Sequence, residues 1–253
     1  MNSNNLQFDT RGLEKFSLVE WTGKITAIIF TGGCNFRCPF CHNPELVTEL
    51  ENTPAYPWLE IEKFLTKKIG WIDAIMITGG EPTIQADLPK ILKIIKDKGY
   101  LTGIATNGSN PEILQKIIER KLVDRICMDV KSSLDKYTIA CAAPILSSSG
   151  EADGKKENEI IEKVKKSIGL IKNSSVEYEF KLTLVPGIVE KEDIPQIGKL
   201  IKGAKKITLQ QFRPLKTLDK SYRSKVPYGK EEIIRIGKEL EKYVKEVNLD
   251  FIE

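Results

Sequence analysis

The sequence predicts an α/β fold, a partial (β/α)6, TIM-like barrel of mainly parallel strands. Three observations carry that prediction. Short β-branched apolar runs recur between longer amphipathic stretches from residue 24 to residue 252. Two of the strongest runs stop abruptly at glycine, at Thr31-Gly32-Gly33 and at Thr78-Gly79-Gly80. About six strand–helix units follow one another, with no internal repeat of clear period and no linker between them. Such alternation builds a mainly parallel sheet with right-handed crossovers, in which reactive groups gather at the carboxyl ends of the strands.

Residues 24–30 form the first buried run, and residues 73–77 repeat its pattern. Between them, 58–69 carries Leu59, Phe64 and Leu65 on one helical face. Leu88, Ile91, Leu92 and Ile95 stand at i, i+3, i+4 and i+7, the stripe of an amphipathic helix over 87–98. A strand at 101–105 leads to a helix at 111–120, entered by Asn110-Pro111 as cap and first-turn proline. The strand at 124–130 is followed by 141–158, whose Ser, Ala and Gly content predicts a mobile surface loop. Helices are then expected at 157–173, 192–202 and 230–246, and strands at 177–185, 206–211 and 247–252. One domain over 1–253 is expected, with its core at about 20–215 and the helix and strand of 230–252 added to it.

Composition narrows the function classes. At 41% apolar and 29% charged residues, the chain holds enough material for a sizeable core. No run approaches the roughly 20 apolar residues that cross a bilayer, and the polar start Met1-Asn2-Ser3-Asn4-Asn5 lacks a secretory signature, so a cytoplasmic location is expected. His42 is the only histidine, which nearly excludes a Ser-His-Asp triad, with a single candidate base, and a multi-histidine metal centre. Of the five cysteines, three fall within eight residues, a clustering that points to a metal in a reducing compartment. The net charge is +4, but residues 202–225 hold Lys202, Lys205, Lys206, Arg213, Lys216, Lys220, Arg223 and Lys225 against Asp219 alone. That stretch is either a solvated rim or a face for an anionic partner.

Cys34-x3-Cys38-x2-Cys41 is the most informative motif. Thiolates are the natural ligands of iron–sulfur clusters, and three of them leave one iron of a cubane without a protein ligand, as a catalytic zinc keeps a position open. Two alternatives stand beside this reading. One is a zinc site completed by His42 or a distant cysteine; the other is a fully ligated electron-transfer cluster with Cys127 or Cys141 as fourth ligand.

With Phe40 before the last cysteine, the motif resembles that of the radical S-adenosylmethionine (SAM) enzymes. The resemblance implies one [4Fe–4S] cluster on Cys34, Cys38 and Cys41, its open iron chelated by SAM, which one electron cleaves to methionine and a 5′-deoxyadenosyl radical. Residues 30–47, with Ser17–Lys24 before them, further resemble the glycyl-radical-enzyme activases, above all the anaerobic ribonucleotide reductase activating proteins. By that resemblance Gly79, Gly80 and Glu81 contact the SAM amino group, and Thr106 and Asn107 lie beside its methionine moiety. Lys131 neutralises its carboxylate with Asp129 nearby, Val185 lines the adenine side, and Arg213 bonds to ribose or carboxylate. Pyruvate formate-lyase activases carry an Asp where Ala105 stands, so their monovalent cation site is not expected here. The resemblance also implies a glycyl-radical enzyme as partner, such as an anaerobic ribonucleoside-triphosphate reductase, and a flavodoxin or ferredoxin-type electron donor. Two other functions remain open. One is a radical SAM enzyme acting on a small molecule or an RNA nucleoside, in 7-deazapurine synthesis or tRNA modification, with 202–225 gripping phosphates. The other is a non-enzymatic iron–sulfur or zinc module.

Overall fold

The computed structural model describes residues 6–142 and 154–251. Eight strands form one sheet in strictly sequential order: β1 (Thr10–Ser17), β2 (Thr26–Thr31), β3 (Ala74–Gly79), β4 (Leu101–Thr106), β5 (Arg125–Asp129), β6 (Glu177–Leu184), β7 (Ile207–Gln211) and β8 (Val247–Asp250). β1 runs antiparallel to β2, and every later neighbour pairs in parallel. A sheet that always adds its next strand on the same side rolls up as it twists. β1 and β8 remain its two edges, so the barrel is partial, as expected.

The helices are α1 (Glu45–Thr48), α2 (Trp58–Lys67), α3 (Leu88–Asp97), α4 (Pro111–Glu119), α5 (Tyr137–Cys141), α6 (Gly154–Asn173), α7 (Ile194–Leu200) and α8 (Lys230–Leu240). The longer ones cover the outer face of the sheet, where Ile29, Ile75, Ile77, Ile104, Phe180, Leu182 and Leu209 meet Ile61, Leu65, Ile91, Leu92, Leu114, Val164, Ile197 and Ile233. Strand residues alternate between faces, so their neighbours point into the bore. There Ile28, Ala74, Met76 and Cys127 form a separate buried group plugged by Trp21. Further round, the bore turns polar: Arg125 reaches Glu179 at 2.8 Å and also bonds Glu177, and Thr208 donates to Glu179 at 2.9 Å. The Trp21 indole N–H donates to Glu177 at 3.1 Å, and the Arg125 guanidinium stands 5.6 Å from the Trp21 ring, joining the two halves.

Three expectations change. β1 was not anticipated, because Arg11, Glu14 and Lys15 interrupt any apolar alternation; its pairing with β2 creates it. α8 ends at Leu240 and not at 246, since Tyr243 accepts from Gly203 N–H at 2.8 Å and Lys245 N–H donates to Ala204 at 3.0 Å. Those tertiary bonds take backbone groups that a longer helix needs. Of the anticipated 141–158 loop, 143–153 lies outside the described residues, while α6 is already helical from Gly154. No helix among the described residues is long and apolar enough to cross a membrane.

Candidate functional site

The cysteine loop leaves the carboxyl end of β2 and is irregular but anchored at many points. Gly33 N–H donates to Leu46 at 2.8 Å, Arg37 N–H to the Cys141 carbonyl at 2.8 Å, and Cys41 N–H to Cys38 at 3.0 Å. The Arg37 guanidinium folds back onto the carbonyls of Cys34 and Phe36, and Phe36 and Phe40 are buried beneath the loop. Cys38 is buried and Cys34 and Cys41 are half-buried; all three are free thiols lining one cavity.

The opposite wall is the turn after β3. Gly79 adopts φ +113°, and a Cβ on Gly80 would stand 1.7 Å from the Gly33 carbonyl oxygen, so only glycine lets the two turns touch. Glu81 N–H seals the contact by donating to that oxygen at 2.8 Å. The Glu81 carboxylate is 1% exposed and braces the loops: Oε1 accepts from Thr83 N–H (3.0 Å), Thr83 Oγ1 (2.6 Å) and Thr106 Oγ1 (2.6 Å), and Oε2 from Asn107 N–H (2.7 Å). One lone-pair direction on Oε2 is then free for a further donor. Asn107 in turn donates to Asn35 at 3.0 Å and approaches the Cys34 sulfur at 3.8 Å, while Phe36 N–H lies 3.4 Å from the same sulfur. Lys131 closes the third side, 2.8 Å from Asp129 and 6.0 Å from the Phe40 ring centroid.

The electrostatics follow from burial. Desolvation pushes the Cys34 thiol up to about 11 and Cys38 to about 12, and raises Cys41; nearby Lys131 opposes the rise in all three. The thiols are therefore protonated at neutral pH until a metal displaces the protons. Desolvation is the largest influence on Lys131 and lowers it, yet the charge and hydrogen bond of Asp129 oppose it, and Lys131 is held well above its ordinary value. Burial also lowers His42, whose ring stacks on Phe212 at 6.2 Å.

The cavity brings together Cys34, Cys38, Phe40, Cys41, Gly79, Gly80, Glu81, Thr106, Asn107, Asp129 and Lys131. Val185 and Arg213 are not in its lining. The Val185 side chain is fully buried in the core, because the chain turns there and the Val185 carbonyl accepts from the N–H groups of Ile188 and Val189. Arg213 is exposed at the rim, just past Phe212. Thr183 and Gln210 line the cavity without having been singled out, and His42, expected only as a candidate zinc ligand, lines it too. The period-2 alternation of β6 and β7 was the available signal for the first two.

The donor set suits a cubane. No group of three His, Cys, Asp or Glu side chains among the described residues converges tightly enough to hold one metal ion. The three thiols line one cavity, and thiolates are the natural ligands of iron–sulfur clusters, so the residues present fit a cluster held by three cysteines. The remaining cysteines are turned elsewhere: Cys127 donates to Glu179 at 3.3 Å in the bore, and Cys141 to the Tyr137 carbonyl at 2.8 Å within α5. The cavity-facing side of the loop is thus left open for a ligand other than cysteine.

Comparison with known proteins agrees. Residues 28–201 match the model of the radical SAM superfamily. A Methanocaldococcus jannaschii protein, provisionally named a glycyl-radical enzyme activating enzyme, is 35% identical over 93% of this chain and 93% of its own length. The pyruvate formate-lyase-activating enzyme of Clostridium pasteurianum is 27% identical over 93% of this chain and 96% of its own. Among solved structures, Streptococcus suis SuiB bound to its precursor peptide SuiA overlays with a TM-score of 0.61 at 15% identity, over 89% of this chain and 48% of that one, a likeness of fold alone. The chain belongs to the radical SAM superfamily, whose enzymes use a [4Fe–4S] cluster and S-adenosylmethionine.

Proposed function

We propose that this enzyme is a glycyl-radical-enzyme activase, abstracting a hydrogen atom from a glycine Cα of a partner enzyme of the anaerobic ribonucleoside-triphosphate reductase type. The observation that carries the reading is the three-thiol loop, open on its cavity side, in a chain alike over nearly its whole length to a protein named for that activity. Bound together, cluster and SAM supply a 5′-deoxyadenosyl radical at the cost of one electron.

In this reading Cys34, Cys38 and Cys41 would hold three irons, with the backbone N–H of Phe36 and the side-chain amide of Asn107 directed at the Cys34 sulfur. Lys131, oriented by Asp129, faces the SAM carboxylate; the ion pair fixes its ammonium before any ligand arrives. The Gly79–Gly80 backbone and the spare lone pair of Glu81 take the SAM amino group, Thr106 and Asn107 border its methionine chain, and Phe40 backs the loop. Backbone at Val185 and the Arg213 side chain serve the nucleoside from the rim. The electron donor is a flavodoxin or ferredoxin-type protein, and the setting is the anaerobic cytoplasm.

Anaerobic reconstitution with SAM, dithionite and a candidate reductase tests this. A glycine-centred doublet in the electron paramagnetic resonance spectrum is expected. No glycyl radical with any candidate partner, together with SAM consumption and 5′-deoxyadenosine formation that depend on an RNA or small-molecule substrate, would overturn the activase reading in favour of the modifying one.

A further inference from the structure

The segment 212–229 between β7 and α8 lies against the outer side of the cysteine loop. Asp219 N–H donates to the Pro39 carbonyl at 2.9 Å, between Cys38 and Phe40. Lys216 pairs with Glu45 of α1 at 2.8 Å, and Phe212 stacks on His42. The segment exposes Arg213, Lys216, Lys220 and Arg223. Its one acid, Asp219, spends an oxygen on the Ser221 N–H at 2.8 Å. Lys220 and Arg223 have no carboxylate partner among the described residues. Amid these cations, Leu215 is 88% and Val226 82% exposed.

We propose that this face is the docking surface for an acidic one-electron carrier protein that reduces the cluster. The inference rests on the radical chemistry above, which needs one electron per turnover from outside the chain. The Asp219–Pro39 contact sets this segment directly against the loop that carries the three thiols, so a carrier seated on its exposed face is brought close to them. Unpaired cations steer an acidic protein to the spot, and bare apolar side chains inside a charged rim are the anatomy of a protein interface. A phosphate backbone gains nothing from Leu215 and Val226, which favours protein over RNA. In the step itself, one electron leaves the carrier and enters the cluster; no bond is made or broken.

The test uses the full chain, anaerobically reconstituted, with a reduced flavodoxin of acidic surface as probe and a reduced acidic ferredoxin as second probe. Stopped-flow bleaching of the cluster in the absence of SAM reads electron entry, and flavin fluorescence reads binding of oxidised flavodoxin to the cluster-free chain. The variants are Lys220→Glu with Arg223→Glu, and Leu215→Ser with Val226→Ser. At low salt, the charge reversal is expected to slow carrier-driven reduction and weaken binding about tenfold, with the difference shrinking as ionic strength approaches about 0.15 M. The apolar pair weakens binding with little dependence on salt. Dithionite reduces all forms alike. Equal carrier rates in wild type and both variants overturn the proposal, as does failure of both carriers to reduce the wild type. So does loss of salt-dependent tRNA binding in the charge variant with carrier rates unchanged. Failure of the functional reading looks different: the cluster is reduced, and SAM is not cleaved.

Discussion

Replacing Gly80 by alanine probes the closest approach in the site. The added Cβ would lie 1.7 Å from the Gly33 oxygen and 2.5 Å from the Gly33 carbonyl carbon, both backbone atoms that no rotamer change can move. Ordinary contact begins at 3.4 Å, so the two turns must part by about 3.4 − 1.7 = 1.7 Å. That separation breaks the Glu81 N–H bond to Gly33, worth about 1 kcal/mol, and overpacking adds about 1–3 kcal/mol. A total loss near 2–4 kcal/mol of stability is expected from denaturant titration. The functional loss should be larger, because a displacement of about 1 Å can cost on the order of 100-fold when a reaction depends on alignment. SAM cleavage under dithionite, normalised to iron content, measures it. Gly169→Ala in α6 is the control: nothing lies within 4 Å of its Cβ, so it should gain up to about 1 kcal/mol. If Gly80→Ala kept wild-type stability and cleaved SAM within about threefold of wild type, the claim that the Gly33–Gly80 contact sets the site would be wrong.

Other perturbations separate the roles of neighbouring groups. In the proposed reading Lys131 faces the SAM carboxylate; Lys131→Met would then remove a charge-assisted contact worth about 1.5–3 kcal/mol, and SAM affinity should fall about 10–100-fold by equilibrium binding while iron content stays intact. Cys141→Ala should retain full iron and sulfide, since that thiol bonds within α5; loss of the cluster would revive a four-cysteine site. Desolvation is the largest influence on Glu179 and raises it, but Lys181 and Arg125 outweigh it and the carboxyl is held below its ordinary value. Its stabilising effect is therefore complete above the unfolded value near about 4.3 and is lost as pH falls through the lower folded one. Glu179→Gln should flatten that acid limb in thermal melts taken across pH, and an unchanged limb would refute the assignment. Arg125→Met, which takes from the buried Glu179 its 2.8 Å partner and leaves Lys181 at 3.9 Å, should cost about 3 kcal/mol in the same melts.

Much of this was legible because buried parallel strands advertise themselves. The runs ending at Thr31 and Thr78 are apolar on both faces and stop at glycine, and the thiols and Gly79–Glu81 follow them directly. β1 escaped notice since its stability is borrowed from β2, and no local pattern encodes a borrowed strand. The Val185 side chain lies in the core because the turn that starts there carries it off the bore face, and Thr183 is the β6 residue that reaches the cavity, a detail that needs the turn's hydrogen bonds to be seen. The Glu81 brace was equally hidden, because its four donors come from residues 83, 106 and 107 and meet only when β3 and β4 are side by side. Charge at 202–225 was visible as composition, whereas its lodging against Pro39 required the fold.

The lining of the sheet's bore has a further consequence. Hydrocarbon from Ile28, Ala74 and Met76 occupies one flank, and the locked ions of Arg125, Glu179 and Lys181 the other. Both flanks lie beneath Trp21 and away from solvent, so the chain itself fills the middle of the sheet. A substitution that trades one kind of lining for the other, an ion for a methyl or the reverse, leaves a charge dry or an apolar neighbour facing a charge, with no water at hand to absorb either.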